Sequence, residues 1–274
     1  MSDSLRWREV CGQSRSITFD VTNCCVTAAT VPRSPIDDYL LNGRDILLLG
    51  TEEDLRDHPA LGRLILLGVV SGAEAYFKQI ISRCVKHCST CRNSAAKHVI
   101  PFAAVEYYGG DDVATALVES ISFATAGEIV NKTKKFTGID MKGAELTEAV
   151  RIFDRICQLR HAAVHANGVL SAANAREIGD GRAKRLRVRI DFASVQTIAA
   201  ACNNLIREYN RELFFHLVTR WFKEKRLSGD WQQDRSQFTP IFTAFYSVVD
   251  EVGPNNAYNS YRALRPTLLR FIAS

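Results

Sequence analysis

LRHAAVHANG, residues Leu159 to Gly168, is the stretch whose reading decides the fold. It closes a strongly periodic segment that opens near Ala144. On a helical wheel of about 100° per residue, Leu146, Ala149, Val150, Phe153, Cys157 and Val164 form one apolar stripe, widened by Ile156 and Ala163. Glu148, Arg151, Arg155 and Gln158 lie opposite. Arg160 falls inside the apolar stripe, where a guanidinium that keeps its proton needs an acidic, phosphate or carbonyl partner. His161 and His165 stand one turn apart at the edge of the polar face, on the side of Asp154. Asn167-Gly168 then stops the helix, because glycine tolerates the left-handed conformation. On an ideal helix Arg160 and His165 point about 140° apart. They converge on one target only if the helix frays or bends near Asn167-Gly168, or if two chains meet there.

Working outward, 274 residues supply ample chain for one large core or two small ones, and 46% hydrophobic with 24% charged residues is ordinary for a soluble globular protein. No uninterrupted apolar run approaches the ~18–20 residues of a membrane span, and MSDSLRWREV lacks the apolar core of a signal peptide. A cytoplasmic location with no membrane partner is therefore the expectation, and the eight cysteines are expected as reduced thiols. The net charge of +5 permits a nucleic-acid partner without demanding one. Its distribution is more telling, since Arg176 to Arg189 holds six basic residues against Glu177 and Asp180.

The chain reads as mainly α in three parts: an N-terminal extension over 1–57 with short strands, a helical domain over 58–227, and a C-terminal helical extension over 228–274. Alternation in Ser16–Thr22 and the run Asp45–Gly50 predict two short strands. Asp57-His58-Pro59 starts a helix to about Lys86, apolar on nearly every face in its first half, which marks it as central. A helix opening at Asp111-Asp112 is expected to run to about Lys135, followed by Ala144–Ala166 and by Phe192 to about Lys225, capped by Asp191. Between the last two, Leu186, Val188 and Ile190 alternate with Arg185, Arg187 and Arg189 after an Asp180-Gly181 turn, predicting a small β-hairpin with a basic face. Two further helices are expected near Pro240–Glu251 and Ala257–Ile272.

The residues gathered around Arg160 suit phosphodiester chemistry on RNA. A neutral imidazole can take the proton of a 2′-hydroxyl as it attacks the adjacent phosphate. An arginine can brace the phosphate oxygens with a fork of charge-assisted donors. That chemistry needs no metal and no cofactor. Arg182, Lys184, Arg185, Arg187 and Arg189 would hold flanking phosphates.

Arg160-His-Ala-Ala-Val-His165, late in a helix and followed by Asn-Gly, resembles the R-x4-6-H motif of the HEPN superfamily. The segment Gly72 to Tyr76, Gly-Ala-Glu-Ala-Tyr, also looks like that family's first helix, and the resemblance spans about Pro59 to Lys225. It implies a HEPN-like helical bundle, a homodimer, and Arg160 as phosphate stabiliser with His165 as base or orienting group. Where the family often has Asn after the arginine, this chain has His161, which leaves the role of that position open. The resemblance further implies an endoribonuclease with RNA as substrate, tRNA among the candidates, in a toxin or phage-defence setting with a neutralising or sensing partner protein. The rival reading is a non-catalytic HEPN-like module that binds nucleotide or RNA.

Two metal readings stand beside this. His161 and His165 are spaced as a ligand pair, but a catalytic zinc needs a third ligand and the H-E-x-x-H glutamate is absent. Cys84-x3-Cys88-x2-Cys91 has the spacing of radical-SAM cluster ligands, without the alternating strands and helices of those enzymes. Zinc held by Cys88, Cys91 and His87 or His98 is the other metal reading. The favoured expectation is a set of small, half-buried thiols that terminate the helix.

Overall fold

The computed structural model describes residues 11–12, 14–27, 33–179 and 185–273. The chain divides into two units, 1–32 and 33–274. Among the described residues of the first, one 3-10 helix, Val21–Cys24, is opened by the Asp20 side chain, which accepts from the Thr22 N–H. The strand expected over Ser16–Thr22 is not formed. Ile17 and Phe19 are 83% and 73% exposed, so alternation there has neither a ladder partner nor a core to face.

The second unit is helical: α1 Pro35–Leu47, α2 Glu52–Asp57, α3 Pro59–His87, α4 Ser89–Ala95, α5 Phe102–Val118, α6 Ala126–Thr137, α7 Ala144–His165, α8 Ala172–Glu177, α9 Phe192–Lys223, α10 Trp231–Phe245 and α11 Ala257–Ala273. Residues 33–57 and 228–274 belong to this same unit. Asp45–Gly50, expected as a strand, is the end of α1 and its exit turn. Ser34 caps that helix by accepting from the Asp37 N–H, and Pro35 fills its first position. The buried Asp37 carboxylate then accepts from Ser247 Oγ and from the backbone of Val248 and Val249, tying α1 to the loop beyond α10. In the same way Asp234 of α10 accepts from Ser228, Gly229 and the hydroxyl of Tyr261 on α11.

The bundle is built on α3, against which α1, α5, α6, α7, α9 and α10 pack. Ile65, Leu66, Val69, Val70, Ala73, Tyr76, Phe77, Ile80, Ile81 and Cys84 recur at helical spacing and are all buried. By length and mean hydropathy, 1.4 over its most apolar window, α3 is long and apolar enough to cross a membrane; half of that window is buried against neighbouring helices, as in a core helix. Phe77 meets Phe123, Phe153 and Tyr209 at 5.6, 6.4 and 4.8 Å between ring centroids. Buried polar groups close the same layer: Tyr76 donates to Asn210 Oδ1, Asn210 donates to the Phe245 carbonyl, and Tyr209 bonds Thr133.

Three further expectations are corrected. The helix expected from Asp111 to Lys135 is two, because residues 119–125 leave the axis to bury Phe123; α5 is itself kinked, with Gly109 at φ 67°. The helix near Pro240 begins earlier, at the Asp230 cap, and carries Pro240 inside it. The small β-hairpin is also not seen: among the described residues there is no strand, and an isolated antiparallel bridge joins Val169 to Arg187. Residues 185–190 pair with the exit from α7, through Leu170 N–H to the Leu186 carbonyl and Val188 N–H to the Gly168 carbonyl. The alternation itself is present, with Val188 and Ile190 buried and Arg185, Arg187 and Arg189 exposed.

The Ile190 backbone presses so closely on α3 that a Cβ on Gly62 would lie 2.1 Å from its carbonyl oxygen. Gly62→Ala is therefore expected to destabilise the fold by ~2–3 kcal/mol. Gly43→Ala, where a Cβ meets nothing within 4 Å in mid-helix, should stabilise it by ~0.5–1 kcal/mol. Urea unfolding of both variants checks the pair, and a neutral Gly62→Ala would contradict the close approach of Ile190 to α3.

Candidate functional site

Helix α7 buries Leu146, Val150, Phe153, Ile156, Cys157 and Ala162 and stays regular to His165. Its end is closed by two bonds to one carbonyl, as the N–H groups of Ala166 and Gly168 both reach Ala162 O. Asn167 and Gly168 take φ values of 48° and 83°, the left-handed exit expected for Asn-Gly. Arg63 of α3 covers that turn, its Cδ lying 3.2 Å from where a Gly168 Cβ would stand.

Arg160 is half-buried, its side chain 27% exposed, and points back to α3. Its Nη2 lies 3.8 Å from Glu74 Oε2, an ion pair too long for a hydrogen bond. Glu74 is otherwise engaged, since Oε1 accepts from Ser122 Oγ at 3.3 Å and the Phe123 N–H at 3.2 Å. Arg160 Nε is buried with no hydrogen-bond partner. The guanidinium thus keeps unspent donor capacity.

His161 and His165 are exposed and lie together, ring centroids 4.6 Å apart and planes tilted by 47°. Among the described residues, no hydrogen bond or ion pair joins either ring to Arg160. Because the helix neither frays nor bends before His165, the one-chain route to convergence is closed. Asp154 is also unavailable as a third zinc ligand here: its Oδ1 accepts from the Ala126 N–H and caps α6. No group of three His, Cys, Asp or Glu placed to hold a metal occurs among the described residues. Cys84, Cys88 and Cys91 are fully buried rather than half-buried.

Of the expected phosphate-binding residues, Arg185, Arg187 and Arg189 line the exposed side of the segment paired to the α7 exit. Arg187 Nη1 donates to the Asn167 carbonyl at 3.2 Å, which ties that basic edge to the end of the site helix. Arg182 and Lys184, with the Asp180-Gly181 turn, lie outside the described residues. Two neighbours were given no role by the sequence reading: Glu74, one of the charged residues on the amphipathic later half of its helix, and Arg63, which the pattern places merely at the edge of an apolar run.

The result is a mainly α bundle that carries, at one end of α7, an incompletely paired guanidinium, two adjacent imidazoles and a basic edge. Comparison with protein-family models, curated proteins and solved structures gives no significant match.

A pair 3.8 Å apart and partly open to water couples weakly. A double-mutant cycle of Glu74→Ala and Arg160→Ala, read by urea unfolding, should return a coupling below ~1 kcal/mol. A value of several kcal/mol would mean that Arg160 is locked to α3 as a structural ion.

Proposed function

We propose that this chain is a HEPN-like, metal-independent endoribonuclease whose site is completed when the α7 ends of two copies meet. The observation that carries the reading is the state of Arg160: half-exposed, with its carboxylate at 3.8 Å and a buried Nε unpartnered, on the helix that presents His161 and His165 to solvent. A phosphodiester supplies the acceptors that the guanidinium lacks. In that reaction His165 removes the 2′-hydroxyl proton and the oxygen attacks the neighbouring phosphorus. Arg160 braces the non-bridging oxygens as charge accumulates. The 5′-oxygen leaves with a proton, for which His161, beside His165, is the nearest imidazole donor. Arg185, Arg187 and Arg189, with Arg182 and Lys184, track the flanking phosphates. The wheel angle between Arg160 and His165 is the reason for assigning the two groups of one site to different subunits of a homodimer.

A role as a toxin or phage-defence effector in the cytoplasm, with tRNA among the substrates and a neutralising or sensing partner, rests on the family resemblance alone. One observation favours a second reading. Arg160 leans toward Glu74 and away from the imidazoles, as it would in a module that binds RNA or nucleotide without cleaving it.

Incubation with total RNA and with tRNA should yield ends bearing 2′,3′-cyclic phosphate, undiminished by excess chelator. Arg160→Ala and His165→Ala should each lower the rate by ~10²–10⁴-fold with the helical circular-dichroism signal intact. Mixing the two inactive variants should restore about a quarter of wild-type activity, since random pairing leaves one whole site in half of the dimers. Full activity in both variants would overturn the site. Binding of RNA without products would establish the non-catalytic reading instead.

A further inference from the structure

Where α3 hands over to α4, a second arginine has the wrong company for an ordinary ion pair. Arg220 of α9 donates through Nη1 to the Thr137 carbonyl at 2.7 Å and through Nη2 to Cys91 Sγ at 3.1 Å and Cys88 Sγ at 3.6 Å. Trp221 Nε1 donates to Cys88 Sγ at 3.4 Å. Both cysteines are buried, Cys88 at 1% and Cys91 at 0% exposure. Arg220 Nε is buried and unpartnered, and among the described residues no carboxylate lies within ion-pair distance of this guanidinium. A half-buried cation that never loses its proton needs a counter-charge. Among the described residues, the ionisable groups against it are sulfur. Two donors already converge on Cys88 Sγ, which is the setting of a thiolate.

We propose that Cys88 and Cys91 form a redox-active dithiol, in which the Cys88 thiolate is the counter-ion of Arg220 and which hydrogen peroxide closes to a disulfide. Among the described residues, the Cys84 thiol of α3 and the phenol of Tyr209 also face the pair, both buried and both pushed up by that burial. Hydrogen bonding from Cys91, then from Trp221, with the Arg220 charge, brings the Cys88 thiol down to about 5 against the upward push of burial. The Cys91 thiol is pushed up, first by donating to Cys88 and then by burial, and burial pushes Cys84 up. One sulfur is thus the nucleophile and its neighbour keeps the proton. In the first step the Cys88 sulfur attacks one peroxide oxygen, the O–O bond breaks, and a sulfenic acid and hydroxide form. In the second, the Cys91 sulfur attacks the sulfenic sulfur. The S–S bond forms, the S–O bond breaks, and the Cys91 proton leaves with that oxygen as water. In sum one thiolate and one thiol lose two electrons, and one peroxide becomes one water and one hydroxide, which a solvent proton converts to a second water. The spacing of three residues across the start of α4 keeps both sulfurs on one turn. Closure removes the negative charge that Arg220 faces and leaves its guanidinium held by Thr137 alone.

Cys88 and Cys91 share one tryptic segment, 87–92, which excludes Cys84. Native full-length protein treated with peroxide and then mapped by mass spectrometry should show that segment lighter by about 2 Da. In Cys91→Ser the reaction should stop at a Cys88 sulfenic acid that dimedone captures, and Cys88→Ser should form no disulfide here. The ultraviolet thiolate band at neutral pH should fall in Cys88→Ser, and Arg220→Gln should slow oxidation at least about tenfold while Arg220→Lys recovers part of the rate. If 87–92 stays reduced after Cys11, Cys24 and Cys25 have oxidised, the dithiol is overturned. A thiolate band unchanged in Cys88→Ser would overturn the counter-ion assignment.

Discussion

Phe77 stands where three lines of the structure cross, and its burial fixes the register among them. Its ring stacks on Phe123 from the segment before α6, and meets Phe153 of α7 and Tyr209 of α9 edge-on. Aromatic contacts of this kind add ~0.5–1.5 kcal/mol each beyond area burial. More important than their energy is what they position. Glu74 lies one turn before Phe77, and Arg160 lies two turns after Phe153. Once Phe77 and Phe153 are packed, the Glu74 carboxylate is carried to the side of Arg160. The Phe123 N–H is carried to the same carboxylate. The pairing that holds the site arginine is thus a by-product of core packing, which explains why it is long: nothing optimised the guanidinium geometry itself.

The end of α7 shows a second constraint at work. A regular helix cannot turn Arg160 and His165 to one side, and the Asn167-Gly168 exit comes two residues too late to help. The same exit does achieve something else. By reversing the chain it lets residues 168–170 receive the 186–188 backbone, and the Arg187 bond to the Asn167 carbonyl draws the basic edge to the imidazole end. Charge and imidazoles are assembled by backbone pairing, whereas Arg160 is held by the core.

Much of this was legible before any coordinates. Pro59 and Asp191 marked helix starts, the all-round apolar run marked α3 as central, and alternation separated the buried from the exposed residues of 185–190. The failures have physical causes. In 33–57 the apolar run Asp45–Gly50 has the composition of a strand and Pro35 the look of a turn, whereas Ser34-Pro35 is a cap and first-position proline that sets helical phase from upstream. Around residue 120, helical periodicity persisted on both sides of a break that exists only because Phe123 must reach Phe77, a tertiary demand with no local trace. The expected hairpin failed over the choice of partner: the strand-like segment pairs with the α7 exit. Arg160 was identifiable as anomalous from its place in the apolar stripe. That Glu74 answers it incompletely was not, because the length of an ion pair is decided by packing elsewhere.

Arg160 and Arg220 make an instructive pair, because each is a half-buried guanidinium with an unpartnered Nε and each is answered differently. Beside Arg160 stands a carboxylate that lies beyond hydrogen-bond reach and already serves Ser122 and Phe123. The cation is neutralised in charge but not in hydrogen bonding. What it lacks is acceptors, and a phosphate offers acceptors without displacing Glu74. Beside Arg220 the balance is reversed. A backbone carbonyl and two sulfurs supply acceptors in abundance, but charge only when one sulfur is ionised. What that site lacks on oxidation is charge, and the guanidinium cannot shed its own. The proposed ligand demand at the first arginine and the proposed redox sensitivity at the second rest on one rule: a buried cation must find both a counter-charge and acceptors, and each site falls short in a different one.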